Sequence, residues 1–213
     1  MAEKFDISAW TMAATPLVVA AGFIVRPYVS DFTDDTLVAG VVAESPDRWL
    51  GAALLMVAGA LLLAFALPIA VRRVGGDERR VRTVRSAATV AAVLLALQVG
   101  MYSLGAAAVA KIGADVASYL QSSSALEVSI LVLGLASLLV AWLGVARTAW
   151  SARLSRSIKW MVAIGATLGA LGHWYPGSLG EYIASAGTAA GLWPLVPSRP
   201  RGSGSAAIQT SEQ

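Results

Sequence analysis

Residues 49–71 form an unbroken apolar run of 23 residues with no charged side chain. At about 1.5 Å of rise per residue such a run, as a helix, outspans the ~30 Å hydrocarbon layer of a bilayer. Five more apolar runs bounded by charge lie at residues 10–28, 86–110, 128–146, 158–175 and 182–196. The last has only 15 residues and ends among prolines, Pro194 and Pro197, so it reads as a short or tilted crossing. Composition agrees: 57% of the 213 residues are hydrophobic and 14% charged, where soluble domains carry about 25% charged residues. The fold expected is therefore all-α, a polytopic integral membrane bundle of six transmembrane helices forming one domain over residues 1–197. Residues 198–213, polar and glycine-containing, read as a disordered cytoplasmic tail. The first run also admits a reading as a cleaved signal segment, weakened by Glu3 and Asp6 before it.

The basic residues orient this bundle. With both termini inside, the cytoplasmic side holds 13 of the 16 lysines and arginines: Lys4, then Arg72, Arg73, Arg79, Arg80, Arg82 and Arg85, then Arg147, Arg153, Arg156 and Lys159, then Arg199 and Arg201. Only Arg26, Arg48 and Lys111 fall outside. Cytoplasmic loops accumulate lysine and arginine, so the division predicts a plasma (inner) membrane protein with both ends cytoplasmic. Tryptophan and tyrosine settle at headgroup depth, and they fall into two belts: Trp10, Trp150, Trp160 and Trp193 inside, Tyr28, Trp49, Trp174, Tyr175 and Tyr182 outside. Tyr102 and Trp142 lie deeper and are expected to pack against neighbouring helices.

Rare residues narrow the chemistry. Without cysteine there is no disulfide, thiolate metal site or cysteine nucleophile, and one histidine, His173, cannot build a multi-histidine metal centre. The centres of the predicted spans hold no ionisable residue, which removes support for a proton relay or a voltage sensor. No serine stands in the Gly-x-Ser-Gly setting of an intramembrane serine protease. No cofactor and no metal are expected.

Four groups of residues stand out. Gln98 and Tyr102, one turn apart at the centre of the third span, form a midplane polar pair that needs hydrogen-bonding partners in hydrocarbon, either interhelical ones or those of a ligand. Gly165 and Gly169, and Gly187 and Gly191, form GxxxG pairs in the last two spans and predict a tight final hairpin. The connection 72–85, with Arg72, Arg73, Arg79, Arg80, Arg82 and Arg85 against Asp77 and Glu78, is expected to lie on anionic lipid headgroups. A second basic connection, 147–159, spaces Trp150, Leu154 and Ile158 as one face of an interfacial helix. On the outer side Asp31, Asp34 and Asp35 crowd the first connection while His173, Tyr175 and Glu181 flank the last; brought together, they could hold a cation or act as acid and base.

The function expected first is non-enzymatic: an accessory subunit or a lipid-interacting scaffold. A small-solute transporter, or the substrate-binding component of an importer, comes second, and a lipid-modifying enzyme at the outer interface third. Partners expected are membrane lipids, with a protein partner or a second copy of the chain as a further option. Nucleic acid is not expected, because neither basic connection interleaves bases with aromatics.

Overall fold

The computed structural model describes residues 6–174 and 177–196, and among them the chain is all-α with eight α-helices and no strand. They are α1 (Ile7–Val25), α2 (Asp35–Glu44), α3 (Pro46–Arg73), α4 (Glu78–Val99), α5 (Gly105–Lys111), α6 (Val116–Ser151), α7 (Arg156–Leu171) and α8 (Ser178–Leu192). A π-helical turn, Gly100–Leu104, joins α4 to α5 as one continuous rod. Four helices are long and apolar enough to cross a membrane: Ile7–Val25, Pro46–Arg73, Glu78–Lys111 and Ala125–Ser151. The last two helices, of 16 and 15 residues, are shorter. Tyr175 and the tail 198–213 lie outside the described residues.

Six helices close a ring in the order α1, α3, α4, α6, α7, α8 and back to α1. Each presents a small-residue or short aliphatic face inward, including Ala66, Ala70, Ala88, Ala91, Ala141, Ala166 and Ala170. Larger side chains point away from the ring: Leu17 and Ile24 on α1, Leu54, Leu61 and Phe65 on α3, Leu133, Val140 and Leu143 on α6, Ile164, Leu168 and Leu171 on α7. A second apolar cluster, built on Val29, Val38, Val42, Trp49, Ala106, Ala107, Val116 and Leu120, caps one end of the ring. We call this the lid end; the arginines gather at the other.

Helix boundaries follow local chemistry rather than the apolar runs alone. Asp6 caps α1 by accepting from the backbone N–H groups of Ser8 and Ala9, which starts that helix before the apolar run. At the arginine-rich end α3 continues to Arg73, Gly75 turns the chain at φ 82°, and Asp77 accepts from the Arg80 N–H to open α4. The stretch 72–85 is therefore the ends of two helices around a four-residue turn, and not the extended loop expected from its charge. The interfacial helix expected over 147–159 is likewise corrected. α6 ends at Ser151, and Ser155 caps a separate α7, leaving Trp150 and Trp160 in edge contact with ring centroids 5.2 Å apart.

The largest departure is α6. Its 36 residues span about 54 Å, and it starts twelve residues before the predicted crossing. Asp115 caps it through Ala117 and Ser118, while Val116 and Leu120 bury into the lid-end cluster. That packing makes a helix of a polar stretch, Ser118 to Ser124, whose composition alone reads as a loop.

The last two helices meet backbone to backbone. A methyl group on Gly165 would overlap Gly191, and one on Gly187 would overlap Gly169 and Leu168. Trp142 of α6, fully buried, lies across Gly169 and Gly191, so its indole packs where a side chain on either glycine would stand. Trp49, placed by sequence in the outer aromatic belt, is instead fully buried in the lid-end cluster.

Candidate functional site

On the side of the ring away from the glycine hairpin, α1, α3, α4 and α6 stand apart and enclose a cavity of about 490 Å³. That is within the range of small-molecule sites, about 300–1,000 Å³. Following each helix along the cavity sorts its lining into two zones. Toward the middle of the bundle the walls are apolar: Val19 of α1, Ala60 and Leu63 of α3, Leu95 of α4, Leu135 and Leu138 of α6. Toward the lid end they are polar: Arg26, Asp35, Gln98, Tyr102, Ser103, Glu127, His173 and Glu181, with Phe32 and Thr33 of the first connection as a roof.

Arg26 anchors the polar zone. It caps the end of α1, is 6% exposed, and forms an ion pair with Glu181 in the first turn of α8. Its guanidinium lies 4.3 Å from the centroid of the Phe32 ring and 5.3 Å from that of Trp49, and Nη1 reaches the Met56 sulfur at 3.9 Å. Burying an arginine is tolerable only with such compensation, here a carboxylate and two aromatic faces. The Nε atom, also buried, makes no hydrogen bond.

The roof is tied down by backbone. Ser178 donates its N–H to the Val29 carbonyl at 2.9 Å, and Val29 returns its own N–H to the Ser178 hydroxyl at 3.0 Å. Gly177, at φ 94°, sits so close to Ser30 that a methyl group would overlap the Ser30 carbonyl, which restricts the position to glycine. On the opposite wall the Tyr102 hydroxyl donates to the Phe32 carbonyl at 3.4 Å. Tyr102 belongs to the π-helical turn, which widens α4 where Gln98, Val99, Tyr102 and Ser103 line the cavity. Turns of this kind are frequent at functional sites.

The structure thus joins two groups of residues that sequence kept apart. Gln98 and Tyr102, the midplane pair, line the same cavity as Asp35, His173 and Glu181 from the outer group. Asp31 and Asp34 do not line it. Asp31 accepts from the Thr33 N–H and hydroxyl, which hold its carboxyl below the usual range, and Asp34 caps α2 through Thr36 and Leu37. The acidic first connection is thus partly helix-capping chemistry. Among the described residues no group of three acidic or histidine side chains is placed to hold a metal ion. His173 packs its ring edge-on against Phe23 at 5.9 Å.

Two cavity residues escaped the sequence reading. Glu127 was placed just outside the fourth span, in a loop; it lies inside α6, 5% exposed, and faces the cavity. Arg26 was counted only as an exception to the charge bias. The exceptions carry a signal, because each outer basic residue has a structural partner: Arg26 pairs with Glu181, Lys111 with Asp47 at 2.5 Å, and Arg48 donates to the Val25 carbonyl at 3.2 Å.

At the arginine-rich end, Arg73 pairs with Asp6 at 2.6 Å, Arg72 with Glu78 at 3.3 Å, and Arg80 donates to the Ser151 hydroxyl at 3.2 Å. Arg79, Arg82 and Arg85 extend along the first turns of α4 on exposed positions. No protein-family profile, no curated protein and no solved structure matches this chain.

Proposed function

We propose that this protein is a non-enzymatic, multi-pass membrane protein that holds one small amphipathic molecule in the cavity between α1, α3, α4 and α6. The single observation behind the reading is the zoning of that cavity, with charged and hydroxyl groups at the lid end and aliphatic walls below. A molecule with a polar head and an apolar tail matches both zones in one orientation.

In this reading the membrane is the plasma membrane, and α7 and α8 cross with the four longer helices to give six crossings and cytoplasmic termini. Support comes from the outward-facing Leu, Ile and Phe side chains, which water would penalise and lipid accepts, and from arginine at one end only. Exposed Trp10, Trp150, Trp160 and Trp193 sit toward the arginine-rich end, and Tyr28 and Tyr182 toward the lid end, as interfacial rings would. The arginines of α3 and α4 then face anionic headgroups. A role as the substrate-binding component of an importer uses the same cavity and differs only in having a partner. The enzyme reading draws less support, because His173 meets a phenyl ring and makes no hydrogen bond to a hydroxyl or carboxylate among the described residues.

Two measurements test this. The chain has no cysteine, so Thr33→Cys and Arg79→Cys each give a single thiol. On sealed right-side-out vesicles an impermeant maleimide should label the first at once and the second only after permeabilisation; the reverse pattern refutes the topology. Native mass spectrometry of protein purified in nanodiscs should reveal a co-purifying small molecule at one per chain, lost in Leu138→Trp, which fills the cavity floor. Retention undiminished by Leu138→Trp refutes the site.

A further inference from the structure

The polar zone holds more acid than base. Among the described residues Arg26 is the only cationic side chain lining the cavity, whereas Asp35, Glu127 and Glu181 contribute three carboxylates. The Arg26–Glu181 pair cancels one of each. Asp35, at the roof, and Glu127, buried in α6, remain as a surplus of negative charge in a site walled by hydrocarbon side chains. In such surroundings charge is poorly screened, so the surplus discriminates strongly between head groups of opposite sign.

An anionic head would meet those carboxylates and find the guanidinium already engaged by Glu181, Phe32 and Trp49. A cationic head would meet carboxylates and the aromatic rings of Phe23 and Tyr102 in the same zone. The Arg26 Nε, buried and without an acceptor, adds one donor for an oxygen on that head. We propose that the ligand is a cationic amphiphile, its ammonium group held by the Asp35 and Glu127 carboxylates and its tail running along Leu63, Leu135 and Leu138. This rests on the reading of the cavity as a ligand site, and it names the head-group class that the site selects.

The test uses the full chain in phosphatidylcholine nanodiscs with three probes of equal tail length: dodecylamine, dodecanol and dodecanoate. Dodecylamine should bind at one per chain about tenfold or more tighter than either other probe, the factor expected for a hydrogen bond to a charged group. Glu127→Gln and Asp35→Asn should each remove most of that preference while leaving dodecanol unchanged. Leu138→Trp should weaken all three. Dodecanoate binding as tightly as the amine, with both lost in Leu138→Trp, overturns the cationic head and leaves the cavity reading intact. Failure of all three to bind, or binding indifferent to Leu138→Trp, overturns both. Thermal unfolding of each variant checks its fold. Asp35→Asn, at the partly exposed roof, carries the test if Glu127→Gln does not fold.

Discussion

The two halves of the ring solve the packing problem in opposite ways. In the α7/α8 hairpin, glycines at 165, 169, 187 and 191 let two backbones touch, and Trp142 lies over what space remains. In the half made by α1, α3, α4 and α6, leucines and a methionine hold the walls apart and leave about 490 Å³ unfilled. Protein interiors are otherwise close-packed, and an unfilled volume forfeits dispersion contacts along its whole lining. The glycine hairpin is the part of the ring where rigidity is built, and the opposite half is where a ligand can be accommodated. The Arg26–Glu181 pair bridges them, joining α1 of the open half to α8 of the closed one.

That bridge is where the largest effect is expected. Glu181→Leu leaves a buried guanidinium without its counter-charge, which costs about 3–5 kcal/mol. The double variant Arg26→Met, Glu181→Leu removes both charges and should recover much of the loss. A denaturant series in detergent micelles decides it: if the single variant unfolds like the native chain, the two halves are not coupled through this pair.

Next comes packing in the closed half. Gly187→Ala places a methyl group into the α7 backbone and should cost about 1–3 kcal/mol, since neither helix can withdraw without losing Trp142's contacts. The matched change in the open half is Ala60→Leu, on a cavity wall. There the added atoms enter free volume, so stability should change by less than about 1 kcal/mol in either direction while ligand retention falls. Equal damage from the two substitutions would erase the distinction between the halves.

The closed half was legible in the sequence and the open half only in part. GxxxG spacing is a local, periodic signal, and so are apolar runs long enough to cross a bilayer; both are read from neighbours along the chain. Arg26, Glu127 and Glu181 are brought together from three helices separated by more than 50 residues, and nothing in the sequence near any of them marks that meeting. Glu127 was hidden by the polar residues before it, whose helicity depends on Val116 and Leu120 packing under α2 and α5. Asp31 and Asp34 drew attention by crowding, yet their carboxylates serve turns and caps. What did point to the site, the three basic residues on the outer side, is visible in the sequence once each is asked for its partner.

The smallest effect is expected at the arginine-rich end, where Asp6 and Arg73 tie the start of α1 to the end of α3 at 2.6 Å. The Arg73 hydrogen bond holds the exposed Asp6 carboxyl below its ordinary value of 3.8. A lowered folded-state pKa means the contact contributes fully at neutral pH and fades as acid protonates the carboxylate, from near pH 4 downward. The unfolding temperature of Asp6→Asn should therefore lie slightly below that of the native chain at pH 7, with the gap closing toward pH 3 and narrowing in high salt. Because Asp6 also caps α1 through Ser8 and Ala9, Arg73→Gln separates the two roles: it removes the ion pair and keeps the cap. A gap in Arg73→Gln that persists unchanged to pH 3 would show that the contribution there is packing by the arginine stem and not its charge.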